Sequence, residues 1–152
     1  MTIKTFNINT DKTAFVRAYL PDSIAGLPFC EKRPAVLIFP GGGYEYCSDR
    51  EGEPISLQYL ALGYAAFVVT YSCNERFPEP LMDAAYIFYK IRMRAEEFKI
   101  DPQKMAVLGC SAGGHLAGCL ATMWSDIALT KTIGCEPEDL RPNAAIPVSY
   151  TH

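Results

Sequence analysis

Ser111 lies in Gly109-Cys110-Ser111-Ala112-Gly113, a G-x-S-x-G pattern, and its neighbours decide whether that pattern carries chemistry. Met105 to Leu108 is a short apolar run that reads as a buried strand. Leu116, Ala117, Leu120, Ala121 and Trp124 then recur at helical spacing. Strand, tight glycine turn and helix form the context of a nucleophile elbow. Such a turn holds its serine in a strained backbone conformation, and side chains at Gly109 and Gly113 would collide with strand and helix. It lifts the Ser111 hydroxyl clear of the sheet and aims the N–H of Ala112, at a helix N-terminus, toward an oxyanion formed at the serine. The competing reading is a glycine-rich turn with an inert serine. A positive φ at Ser111 is expected.

A second glycine loop, Pro40-Gly41-Gly42-Gly43-Tyr44, closes the apolar run Pro34 to Phe39, which reads as a strand buried on both faces. Elements that position these loops follow from the rest of the pattern. Ile3 to Asn9 and Thr13 to Leu20 read as an antiparallel hairpin turning at Asn9 to Lys12. A helix is expected from about Pro54 through Leu62 with Gly63 at its C-terminal end, then a strand over Tyr64 to Tyr71. Leu81 to Phe98 is expected to be the longest helix, with Lys90, Arg92, Arg94, Glu96 and Glu97 on a solvated face. Asp101-Pro102 reads as the turn into the Met105 strand. Ser125 to Arg141 is a polar stretch, and Ala144 to Tyr150 a last strand. This alternation predicts an α/β fold, a mainly parallel sheet with helices on both faces. Both glycine loops then lie at the C-terminal ends of strands, where active sites of such sheets form.

Composition supports one domain spanning 1–152. The chain is 49% hydrophobic and 20% charged with a net charge of −3, which gives no basic patch for nucleic acid and no charged run for a membrane surface. No apolar stretch is long enough to span a bilayer, and Met1 to Asn7 lacks the apolar core of a signal peptide, so a cytoplasmic location is expected. The six cysteines, Cys30, Cys47, Cys73, Cys110, Cys119 and Cys135, include no C-x-x-C, and only two histidines are present. A metal site or cofactor is therefore not expected, and the cysteines read as free thiols.

The two glycine loops together, with Pro80-Leu81-Met82-Asp83-Ala84 and Ile100-Asp101-Pro102 between them, resemble the α/β-hydrolase superfamily. The resemblance is to its esterase/lipase branch with an H-G-G-G-type oxyanion loop, which includes acetyl-xylan esterase-like carbohydrate esterases. It implies hydrolysis of a small-molecule ester through an acyl-enzyme on Ser111. The N–H groups of Gly42, Gly43 and Ala112 would form the oxyanion hole. Pro40 stands where the best-known version has histidine.

The resemblance also implies a catalytic acid and then a histidine after the elbow, on later strands. Only His115 and His152 are available, and neither fits. His115 reads as a structural histidine on the elbow helix, and His152 is the terminal residue with nothing to orient it. The chain is thus expected to be the N-terminal half of a hydrolase, ending after the strand that follows the elbow helix, with little activity of its own. Cys110 reads as a core thiol pointing away from substrate. Tyr44 is the candidate substrate contact, although rim or core packing is the simpler role for Tyr44, Tyr46 and Tyr71. Asp83 and Glu45 read as N-capping, surface or salt-bridge residues. Two other functions compete: a prolyl-oligopeptidase-like serine peptidase, and a non-catalytic fragment that self-associates through the open edge at Ala144 to Tyr150.

Overall fold

A computed structural model describes residues 1–7, 14–24, 27 and 30–148. Six strands form one sheet: β1 Thr2–Asn7, β2 Phe15–Leu20, β3 Arg33–Phe39, β4 Ala65–Thr70, β5 Ile100–Cys110 and β6 Ala144–Val148. Their order is β1-β2-β4-β3-β5-β6. β1 pairs antiparallel with β2, and β2 antiparallel with β4, whereas the β4-β3-β5-β6 part is parallel throughout. The expected hairpin and mainly parallel sheet are both present; the turn Asn9 to Lys12 and His152 fall outside the described residues.

Alternation along the central strands explains the layering. Leu37 and Phe39 of β3 face one side, Val36 and Ile38 the other, and all four are buried. The first face packs under helices α2 Glu79–Met93 and α4 Ala112–Met123, through Leu81, Ile87, Phe88, Ile91, Leu116 and Leu120. The second packs under α1 Glu53–Ala61, through Ile55, Tyr59 and Leu60. Gly63 takes φ 87° just past α1, the left-handed turn that ends many helices.

Three expectations change. The helix expected over Leu81 to Phe98 breaks at Arg94, whose φ of −103° and ψ of 24° separate α2 from a short α3, Ala95–Phe98. The Arg94 guanidinium turns back to pair with Glu97 and stacks on Phe6 and Phe98. Arg92 is not solvated. It is buried over the Phe88 ring, and its guanidinium donates to the carbonyls of Pro102, Glu138, Asp139 and Arg141 and to Asn143 Oδ1. One charged fork thereby satisfies the backbone of the segment leading into β6, which periodicity on α2 alone does not signal. The polar stretch before β6 contains two short helices, α5 Ile127–Ile133 and α6 Pro137–Leu140. Asp126 caps α5 by accepting from the Leu129 N–H at 3.0 Å. Asp101 and Pro102 lie within β5.

Candidate active site

β5 ends at Cys110 and α4 begins at Ala112, so the whole reversal falls on Ser111. Its φ is 51° and ψ −117°, a conformation rarely taken by a residue with a side chain, and the positive φ expected from the sequence is found. Ser111 is exposed. Its N–H donates to Val148 O of β6 at 2.8 Å, and its carbonyl accepts the His115 N–H at 3.0 Å. The turn is closed by two glycines. A Cβ on Gly109 would stand 1.9 Å from Gly113 O, and one on Gly113 would stand 1.9 Å from Phe39 O.

That second contact joins the turn to the other glycine loop. Because β3 and β5 pair with Phe39 opposite Gly109, the chains leaving both strands emerge side by side. A Cβ on Gly41 would lie 3.1 Å from Ser111 Cβ. Gly42 takes φ 137° and Gly43 φ 64°, so both N–H groups sit in a left-handed excursion that favours glycine. Gly42 O accepts the N–H groups of Glu45 and Tyr46, and Gly41 O that of Ser48, which folds the loop onto itself. At the base of the loop, the Gly41 N–H donates to Glu51 Oε2 at 2.6 Å, a charge-assisted bond, and Tyr71 Oη donates to Pro40 O at 2.6 Å.

Comparison with known proteins fits this geometry. The BD-FAE family profile matches residues 27–145. The chain belongs to the BD-FAE family. It is 31% identical over 148 residues to an acetylxylan esterase of Xylanibacter ruminicola, covering 93% of this chain and 26% of that protein. An α/β hydrolase enzyme from a Medee basin deep-sea metagenome library superimposes with a TM-score of 0.77 at 49% identity, covering 80% of this chain and 51% of that one. An acetyl ester-xyloside bifunctional hydrolase from Caldicellulosiruptor lactoaceticus gives 0.73 at 29% identity, over 92% of this chain and 50% of that one. The fold is thus that of an α/β-hydrolase, and the chain spans about half the length of these structures and about a quarter of the esterase.

Within this BD-FAE domain, Tyr44 and His115 lie against each other. Tyr44 Oη and His115 Nδ1 are 2.7 Å apart, and the rings meet edge to face. Burial, with Cys119 adding to it, pushes the Tyr44 phenol up to about 12, so it stays protonated at neutral pH. On the other side of the ring, His115 Nε2 lies 3.5 Å from Cys119 Sγ. The imidazole is therefore engaged by its neighbours on both nitrogens, in keeping with a structural histidine. Cys110 is buried, as expected. Tyr46 is exposed and Tyr71 buried, whereas Tyr44 is half-buried at the loop rim.

Asp83 is not a surface residue, one of the roles first considered for it. It is buried within α2 and accepts the Ser72 N–H at 2.9 Å, fixing the chain just beyond β4. Glu45 is exposed, in the role first considered for it. Residues that sequence reasoning missed are two that hold the glycine loop from outside, Glu51 and Asn74, whereas Tyr71, expected to pack at the rim or core, holds it from below. The Asn74 N–H donates to Tyr44 O at 2.7 Å and its side-chain amide to Glu45 O at 3.0 Å. Neither Glu51 nor Asn74 carries a periodic or motif signal. A cavity of about 580 Å³ opens beside the loop, walled by Phe15, Arg17, Tyr19, Cys47 and Ser48; Ser111 is not in its wall. No helix among the described residues is long and apolar enough to cross a membrane.

Proposed function

We propose that this domain supplies the nucleophile and oxyanion hole of a serine esterase acting on short-acyl or carbohydrate-acetyl esters. The observation that carries the reading is Ser111 at φ 51°, exposed, beside a glycine loop so near that a Cβ on Gly41 would lie 3.1 Å from the Ser111 Cβ. Ser111 Oγ attacks the ester carbonyl carbon while its proton passes to a base. The carbonyl oxygen gains the negative charge and is met by the N–H groups of Ala112, Gly42 and Gly43. Collapse of that intermediate expels the alcohol and leaves an acyl group on Oγ, which water then removes. The N–H of Ala112 opens α4, where the helix dipole adds to its effect. Gly42 and Gly43 donate no hydrogen bond to the described residues, so both N–H groups are available to substrate. Tyr44, next along the loop, is the proposed contact for the bound ester. His115 faces Tyr44 and Cys119, so the reading assigns the acid and base of the complete reaction to other residues.

The test is covalent labelling by a fluorophosphonate, followed by peptide mapping. Modification of Ser111, lost in Ser111→Ala, supports the reading; modification elsewhere, or equal labelling of the Ser111→Ala variant, refutes it.

A second reading, self-association through β6, is favoured by one observation. Among the described residues β6 pairs with β5 alone, and Ile146 is 39% exposed on that open strand. Sedimentation of the wild-type chain as a dimer, and of Ile146→Lys as a monomer, would support it; a wild-type monomer would refute it.

A further inference from the structure

The glycine loop is fastened to the chain leaving β4 along one seam. Tyr71 Oη reaches Pro40 O, the Asn74 N–H reaches Tyr44 O, and the Asn74 amide reaches Glu45 O. Two thiols complete the seam. Cys47 Sγ, from the loop, and Cys73 Sγ, from the β4 exit, lie 3.8 Å apart, and both side chains are half-buried. Each sulfur also faces the Tyr71 carbonyl, at 3.9 Å and 3.5 Å respectively.

We propose that Cys47 and Cys73 are a reversible disulfide site that staples the glycine loop to the end of β4. A disulfide holds its sulfurs about 2.05 Å apart. From 3.8 Å the pair must close by roughly 1.8 Å. The Asn74 bonds tie residues 44 and 45 of the loop to the β4 exit beside the pair.

The oxidant is a small dialkyl disulfide of the glutathione type. The Cys73 thiolate attacks one sulfur of it, forming a mixed disulfide and expelling one small thiolate. Cys47, having given its proton to solvent, then attacks the Cys73 sulfur and expels the second. Two electrons pass from the cysteine pair to the small disulfide, and the two thiol protons end on the two released thiols. Burial raises the Cys47 thiol above its usual range, so its ionisation is the slower of the two proton losses. Excess small thiol reverses both steps.

The staple would restrain the stretch that carries Gly42 and Gly43. Any effect on ester hydrolysis rests on the proposed function, but formation of the bond does not. Folded protein is incubated with oxidised glutathione and examined by intact mass and a non-reducing peptide map. The expected result is loss of two hydrogens, a linked Cys47–Cys73 peptide, and reversal by dithiothreitol. Neither Cys47→Ser nor Cys73→Ser can form the linked peptide, and glutathione should be trapped on Cys73 in the Cys47→Ser variant. Amide exchange across residues 42–48 should slow in the oxidised protein. A wild-type chain that stops at a mixed disulfide, or that links other cysteines, overturns the proposal. A linked pair in a chain whose Ser111→Ala variant is labelled by the fluorophosphonate as fully as the wild type would sink the esterase reading and leave this one standing.

Discussion

Gly113→Ala tests the packing on which the site depends. The added Cβ would stand 1.9 Å from Phe39 O, 2.6 Å from Phe39 C and 2.6 Å from Pro40 O. Real Cβ atoms keep about 3.0 Å or more from such atoms, so strand and helix must separate by roughly 1.1 Å at least. Neither side yields cheaply. β3 is hydrogen-bonded to β4 on one edge and β5 on the other, and α4 is packed through Leu116, Ala117 and Leu120. Overpacking of this kind costs typically 1–3 kcal/mol, and with backbone on both sides the upper end applies, about 3 kcal/mol. For a chain of this size that lowers Tm by roughly 6–12 °C. Gly118→Ala is the internal control. Gly118 lies in the same helix, and a Cβ there would meet nothing within 4 Å. Relief of glycine's backbone entropy should then stabilise the protein by roughly 0.5–1 kcal/mol. Urea unfolding followed by far-UV circular dichroism measures both, read as a change in midpoint at constant slope. A Gly113→Ala variant within about 0.5 kcal/mol of wild type would refute the close approach of turn and loop, since no accommodation of a 1.9 Å contact is that cheap. So would equal destabilisation by both variants.

Other outcomes follow from the same contacts. Arg92→Met should lose about 3 kcal/mol in urea unfolding, because Pro102, Glu138, Asp139 and Arg141 lose a charged donor; a loss below 1 kcal/mol would show that water replaces it. Raising the pH should destabilise the fold through Tyr44. Its phenol ionises near 10 when unfolded and about 12 when folded, so stability holds below 10 and falls as pH rises toward 12. Tyr44→Phe should flatten that fall in urea midpoints taken across this window, and an unchanged slope would exclude Tyr44 as its source. In a full-length relative carrying this loop, valine at the Gly42 position should lower kcat about 10²-fold if the N–H is an oxyanion donor. The φ of 137° and the 2.0 Å approach to Tyr46 O make loss of loop geometry part of that effect, so the variant's circular dichroism must be measured beside its kinetics.

The sequence by itself determined the order of strands and helices, the two glycine turns and the residue on which the second one pivots. Those features are local. A continuous apolar run must be a doubly buried strand, a 3.6-residue repeat must be a helix, and a G-x-S-x-G between them forces a reversal at its serine. The positive φ of Ser111 followed from that alone. What tertiary structure decided are the polar contacts between segments far apart in the chain. Arg92 looked solvated because helical spacing reports which side of α2 it occupies, not that α6 and the approach to β6 would arrive above it with bare carbonyls. Asp83 looked like a surface or capping carboxylate because nothing local marks the Ser72 N–H as its partner. Glu51 holding Gly41, His115 held by Tyr44, and Cys47 facing Cys73 are likewise pairings across 10, 71 and 26 residues. Hydrogen bonds are short-ranged and directional, so such partners become visible only when the sheet has set its register and brought the loops to one rim.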